Sequence, residues 1–175
     1  QDNLPPTLTC PPNITIGTNS NGRRAGLRMP LVTVDFGPPM VSDICSPFDS
    51  ITLVNNYTSN RDTIADFPVG ITTVCWTATD KSSNVAQCCH TITVRDSVPP
   101  VITCPDSIKV QCLVPAAYGN LLTFIAAGGS ATDDVRLDTT SFRWVKDELK
   151  DSTCINRKSL HRLYTIRDTS GKADT

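Results

Sequence analysis

Between Leu31 and Arg95 the hydrophobic positions fall in short alternating runs, the period of strands with one buried face. Leu31–Phe36 and Ile51–Val54 read as strands, and 70–79 is a longer one. In that run Ile71, Thr73 and Cys75 share one face, while Val74 and Trp76 share the other. Phe67-Pro68-Val69-Gly70 is a turn signal before it, and Asp80–Asn84 is a turn after it. Val85–Arg95 then reads as a closing strand, with Ile92 and Val94 on one face. No long stretch carries a helical period. Trp144–Lys150 fits either one helical turn or a charged strand end, and 19–26 and 126–130 read as loops. The expected class is all-β.

The pattern occurs twice. Residues 5–16 (PPTLTCPPNITI) return as residues 99–110 (PPVITCPDSIKV), an offset of 94. The closing turn also returns: 77–88 (TATDKSSNVAQC) matches 165–175 (TIRDTSGKADT). A duplicated unit of roughly 90 residues has the size of one small β-sandwich. The expected domains are 1–97 and 98–175, with the boundary at Asp96–Pro100. Pro99 and Pro100 stiffen that joint toward extended geometry, which suits a row of domains better than a loose tether.

Charge changes the picture mainly by exclusion. Sixteen Lys and Arg against 17 Asp and Glu leave a net charge of −1, so no electrostatic footprint for nucleic acid or an anionic membrane is present. The basic residues gathered at Arg157, Lys158, Arg162, Arg167 and Lys172 read as a solvated face. No apolar run approaches the ~20 residues of a membrane-spanning helix. No signal peptide is visible, and Gln1 suits a processed terminus as well as an arbitrary starting point. The 8 cysteines lack the paired CxxC spacing of a zinc site, and only His90 and His161 could add nitrogen ligands. Disulfides are therefore the favoured reading, in an oxidising compartment. Two glycosylation sequons, at Asn13 and Asn56, point the same way, to a secreted or cell-surface protein.

The opening PPTLTCPPNITI, the segment FPVGITTVCWTATD and the closing Asn84-Val85-Ala86-Gln87-Cys88 followed by TITV resemble the hyalin repeat (HYR), an immunoglobulin-like extracellular module. The resemblance spans about residues 5–97 and returns in the second unit at PPVITCPDSIKVQC and TIRDTSGKADT. In the middle of the second unit, Asp133-Asp134-Val135 stands where the family often has Asp-Asn-Cys. The resemblance implies two tandem immunoglobulin-like sandwiches, associated with adhesion and extracellular structure, and no catalytic residues. It also implies disulfides Cys10–Cys88 and Cys45–Cys75 in the first unit and Cys112–Cys154 in the second. Cys104 takes the place of Cys10, but the counterpart of Cys88 falls one residue past Thr175, and the closing strand with it. The second unit is thus expected to lack its last strand, either because the chain continues or because another subunit donates one. Cys89 is left over. It faces opposite to Cys88 and is open to Cys104, to a neighbouring chain, or to remaining a free thiol.

Other chemistry is sparse. Asp80 and Asp168 hold equivalent places in the closing turn, where an aspartate bonds nearby amides. The alternative is calcium at the junction, with Asp43, Asp80 or Asp96 as ligands, although no D-x-D-x-D spacing supports it. No metal or cofactor is expected on these grounds. His90 follows Cys88 and Cys89, but strand neighbours point to opposite faces, and 127–130 lacks the lysine of a phosphate loop. Trp76, Trp144, Tyr57, Tyr118 and Tyr164 could form a sugar platform, though sandwiches commonly bury such rings. The expected function is non-enzymatic: a structural or adhesive module, a repeating unit of a fibre, filament or multi-repeat adhesin. Its partners are expected to be further copies or repeats, head to tail. The alternative is a ligand- or carbohydrate-binding module.

Overall fold

The computed structural model describes residues 2–18, 30–45, 47–110, 113–150 and 159–175. The chain divides into two compact units, Gln1–Ser97 and Val98–Thr175.

The first unit is a sandwich of short sheets. Its strands are β1 (Thr7–Thr9), β2 (Ile14–Gly17), β3 (Leu31–Asp35), β4 (Met40–Ser42), β5 (Thr52–Asn55), β6 (Ile64–Pro68), β7 (Gly70–Thr79) and β8 (Val85–Arg95). One sheet has the order β2-β8-β7-β5, with β2 parallel to β8 and the other pairs antiparallel. The opposite layer is made of β3 paired with β6 and β1 paired with β4. The chain leaves β6 and enters β7 across Val69, changing sheets where the sequence signals a turn; Gly70 there has φ +124°, which favours glycine. The period-2 pattern then sorts the faces. Val74, Trp76 and Ala78 of β7 meet Ile92 and Val94 of β8, Val32 and Val34 of β3, Leu53 and Phe67 in one core. The opposite face of β7 carries Ile71, Thr73 and Cys75 outward. Phe67 meets Phe36 edge-on at 5.7 Å and stacks on Tyr57 at 4.4 Å.

The second unit repeats part of this plan. Its elements are β9 (Val101–Thr103), α1 (Leu121–Ala126), β10 (Ser130–Thr132), β11 (Leu137–Lys150), β12 (Ser159–Asp168) and β13 (Ala173–Asp174). β9 pairs with β10 as β1 pairs with β4, and β11-β12-β13 repeats the order β5-β7-β8. Between β9 and β10, α1 occupies the interval that holds β2 and β3 in the first unit. Asn120 caps it by accepting the Thr123 N–H at 2.9 Å, and its inner face buries Leu121 and Phe124. Those residues pack with Phe142, Tyr164 and Ile166. A side chain at Gly129 would run into the Phe124 ring, so the chain passes there only as glycine. Of the two readings open for Trp144–Lys150 the strand end holds, as the last part of a 14-residue strand, and one expectation changes: residue 126 closes a helix rather than opening a loop.

Candidate functional site

The cysteines of the first unit follow from the register of β7 against β8. Thr79 faces Val85 across the turn, and each step back along β7 is matched by a step forward along β8. Trp76 therefore faces Cys88, and Cys75 faces Cys89. Cys88 points inward with Trp76, packs on the core and is bonded to Cys10, their Cα atoms 5.7 Å apart. Cys89 points outward and is bonded to Cys75, with Cα atoms 4.0 Å apart. This corrects the expected Cys45–Cys75 pair. Cys45 lies beyond β4 as an exposed free thiol, while a partner for Cys75 already stands directly opposite on the neighbouring strand. It also places Cys89 within its own unit, with Cys104 a free, exposed thiol. Cys112 and Cys154 lie outside the described residues.

The closing turns of the two units are built alike. In the first, Asp80 Oδ1 accepts the Asn84 N–H at 2.8 Å and Asp80 N–H donates to Asn84 O at 3.1 Å. In the second, Asp168 Oδ1 accepts the Lys172 N–H at 2.9 Å and Asp168 N–H donates to Lys172 O at 2.9 Å. The fourth residue of each turn has positive φ: Ser83 at 68° and Gly171 at 92°. Burial alone would raise the Asp80 carboxyl, but the Asn84 side chain and the amides of Asn84, Ser82 and Ser83 outweigh it and hold the group below its ordinary value.

Around Asp80 the fold assembles residues far apart in sequence. Carboxylate oxygens of Asp2, Asp43 and Asp80 lie within 4.8 Å of one another. Asp2 Oδ1 accepts the Leu4 N–H at 3.0 Å, and Asn84 Nδ2 donates to Asp80 Oδ2 at 2.9 Å and to the Asp2 carbonyl at 3.3 Å. Asp43 Oδ1 accepts the Cys45 N–H at 2.9 Å. The Cys45 thiol is pushed up from its usual value, first by the charge of Asp2, then by burial and by Asp43. In the second unit Asp133 and Asp168 come together in the same way, one after β10 and the other at the end of β12. The sequence reading included Asp43 and Asp80 but not Asp2. The repeat offset was the available signal, since Asp96 stands in the second opening where Asp2 stands in the first.

The sequon residues Asn13 and Asn56 are both exposed, their side-chain oxygens accepting the N–H groups of Thr91 and Cys75 at 2.8 Å each. The aromatic residues do not converge on one platform. Trp76 is buried, Tyr164 is in the second core and receives the Tyr118 N–H at 3.0 Å, and Tyr57 donates its hydroxyl to the Asp66 carbonyl at 2.7 Å. Trp144 is 47% exposed and held by Asp147, which accepts its indole N–H at 2.8 Å. His90 is buried beside Phe36 with Nδ1 3.2 Å from the Pro12 carbonyl, and no second catalytic group joins it among the described contacts.

The HYR domain model matches residues 1–94. A relative, Hyalin of Strongylocentrotus purpuratus, is 34% identical over 150 residues, covering 79% of this chain and 11% of the relative. The chain thus corresponds to about a tenth of that protein's length. No solved structure matches the chain significantly.

Proposed function

Since the chain belongs to the HYR domain family, an extracellular adhesion-type module, we propose that it serves as a repeating structural and adhesive unit of a surface fibre, filament or multi-repeat adhesin. The observation that carries this reading is the pair of disulfides, Cys10–Cys88 and Cys75–Cys89, on a sandwich whose strand plan recurs in part within one chain. Stapled sandwiches resist unfolding under load, and repetition multiplies weak contacts into avidity. Sequons at Asn13 and Asn56, on exposed side chains, fit a secreted or cell-surface location. The proposed partners are further copies or repeats of the same protein, head to tail, and the role is non-enzymatic.

The test is a bead assay. Beads coated with the native chain should clump with one another, and reduction of the disulfides should disperse them. Dispersed beads under native, oxidised conditions would contradict the adhesive reading. A carbohydrate-binding role has one observation in its favour, the exposed Trp144 fixed by Asp147, which in turn accepts from Arg162. Binding on a glycan array that Trp144→Ala abolishes would establish it instead.

A further inference from the structure

We propose that the Cys75–Cys89 disulfide is a thiol-exchange site, which takes a thiolate at Cys89 and opens while the sandwich and the Cys10–Cys88 bond stay intact. The two bonds differ in access. Cys89 is exposed on the outer face of β8 and Cys75 is half-buried beside it, whereas Cys10 and Cys88 pack against the core. Exposed disulfides are the ones external thiols reach; those packed in a core are protected.

The strand ladder lets the outer bond open in place. Cys75 N–H donates to Asn56 Oδ1 at 2.8 Å, and Cys75 O accepts the Asn56 N–H at 3.0 Å, so both main-chain groups of Cys75 turn toward the β5 side. Cys75 and Cys89 are thus a non-hydrogen-bonded pair, and the ladder bonds of β7 with β8 fall on the flanking pairs, Val74–His90 and Trp76–Cys88. Breaking the S–S bond removes no hydrogen bond. The two sulfurs stay opposed on paired strands, with Cα atoms 4.0 Å apart, and can close again.

The surroundings also admit an anionic reagent. Thr73 and Thr77 flank Cys75 on the outward face of β7, and Gln87 and Thr91 flank Cys89 on that of β8. These four positions carry no charge to repel a thiolate. Cys45, the exposed free thiol of this unit, is held toward its protonated form by the charge of Asp2, then by burial and by Asp43. That disfavours scrambling of the bond by the chain's own thiol.

In the exchange a thiolate attacks Cys89 Sγ along the S–S axis. A new S–S bond forms to Cys89 as the old one breaks, and the electron pair leaves on Cys75 Sγ, which takes a proton from water. With a dithiol, the second thiolate then attacks the reagent's own sulfur and displaces Cys89. The reagent becomes a disulfide, and the protein gains two electrons and two protons.

The oxidised whole chain, treated near neutral pH with glutathione or dithiothreitol, alkylated at intervals and cut with trypsin, tests this. With glutathione, peptide 62–81 should leave the linked species first, its Cys75 alkylated, while peptides 1–23 and 82–95 stay joined and Cys89 carries the glutathione. Dithiothreitol should leave Cys75 and Cys89 both alkylated and Cys10–Cys88 closed. This opening should run at least about tenfold faster than that of Cys10–Cys88, with the near-ultraviolet circular dichroism of Trp76 retained. Chains linked through Cys89 without added thiol would assign the attacking thiolate to a second copy; adducts formed only with glutathione would assign it to a small external thiol. Cys10 alkylated as early as Cys75, or peptide 62–81 released only as the Trp76 signal collapses, would overturn the proposal.

Discussion

Removing the two disulfides one at a time should destabilise the first unit unequally, and the order is set by where the bonds lie. Cys10–Cys88 joins residues 78 apart in sequence and Cys75–Cys89 residues 14 apart. Loop-closure entropy then assigns about 4.5 kcal/mol to the first and about 3 kcal/mol to the second. Burial acts in the same direction. Cys10 and Cys88 pack against the Trp76 core, whereas Cys89 lies exposed on the outer face. Cys10→Ala/Cys88→Ala thus loses contacts as well as the cross-link. For a domain of this size each kcal/mol is worth about 4–8 °C, so the expected losses in Tm are roughly 20 °C or more against about 12 °C or more. Differential scanning calorimetry of both variants, with near-ultraviolet circular dichroism to follow the Trp76 environment, reads the two numbers. Reduced wild type should melt below either variant. Equal or greater loss in Cys75→Ala/Cys89→Ala would refute the loop-closure reasoning, and so would a wild type indifferent to reductant.

Other consequences follow from single positions. Ser83→Gly should stabilise the first unit by about 0.5–1 kcal/mol, because Ser83 holds φ 68° where the second unit already has Gly171, and urea titration would show it as a higher midpoint. Phe67→Ala should cost about 3–5 kcal/mol, since that ring is fully buried between Phe36 and Tyr57; a loss below 1 kcal/mol in the same titration would contradict the packing. Asp2→Asn should bring the Cys45 thiol back toward its ordinary value and speed its alkylation at pH 8, because the Asp2 charge is the largest cause of the upward shift; an unchanged or slower rate would contradict it.

What the sequence reveals is what two-residue periodicity carries. The inward set of β7 and β8, the turn at Asp80–Asn84 and the opposite facing of Cys88 and Cys89 are all legible. The partner of Cys89 was legible too, by counting outward from that turn, whereas the family resemblance implied Cys45 as the partner of Cys75. Helix α1 escapes because six residues span under two turns, and only Leu121 and Phe124 mark its inner face. Of the acidic cluster, Asp43 and Asp80 were legible and Asp2 escapes, because the three belong to separate segments that only the folded sandwich brings together.

Tryptic mapping of the native, unreduced protein after thiol alkylation tests the central claim, a register-defined pair of disulfides on an oxidised sandwich. Peptides 1–23, 62–81 and 82–95 should run as one linked species that separates on reduction, with Cys45 alkylated in peptide 29–61. A link between peptides 29–61 and 62–81, or alkylation of Cys10, Cys75, Cys88 and Cys89, would contradict it.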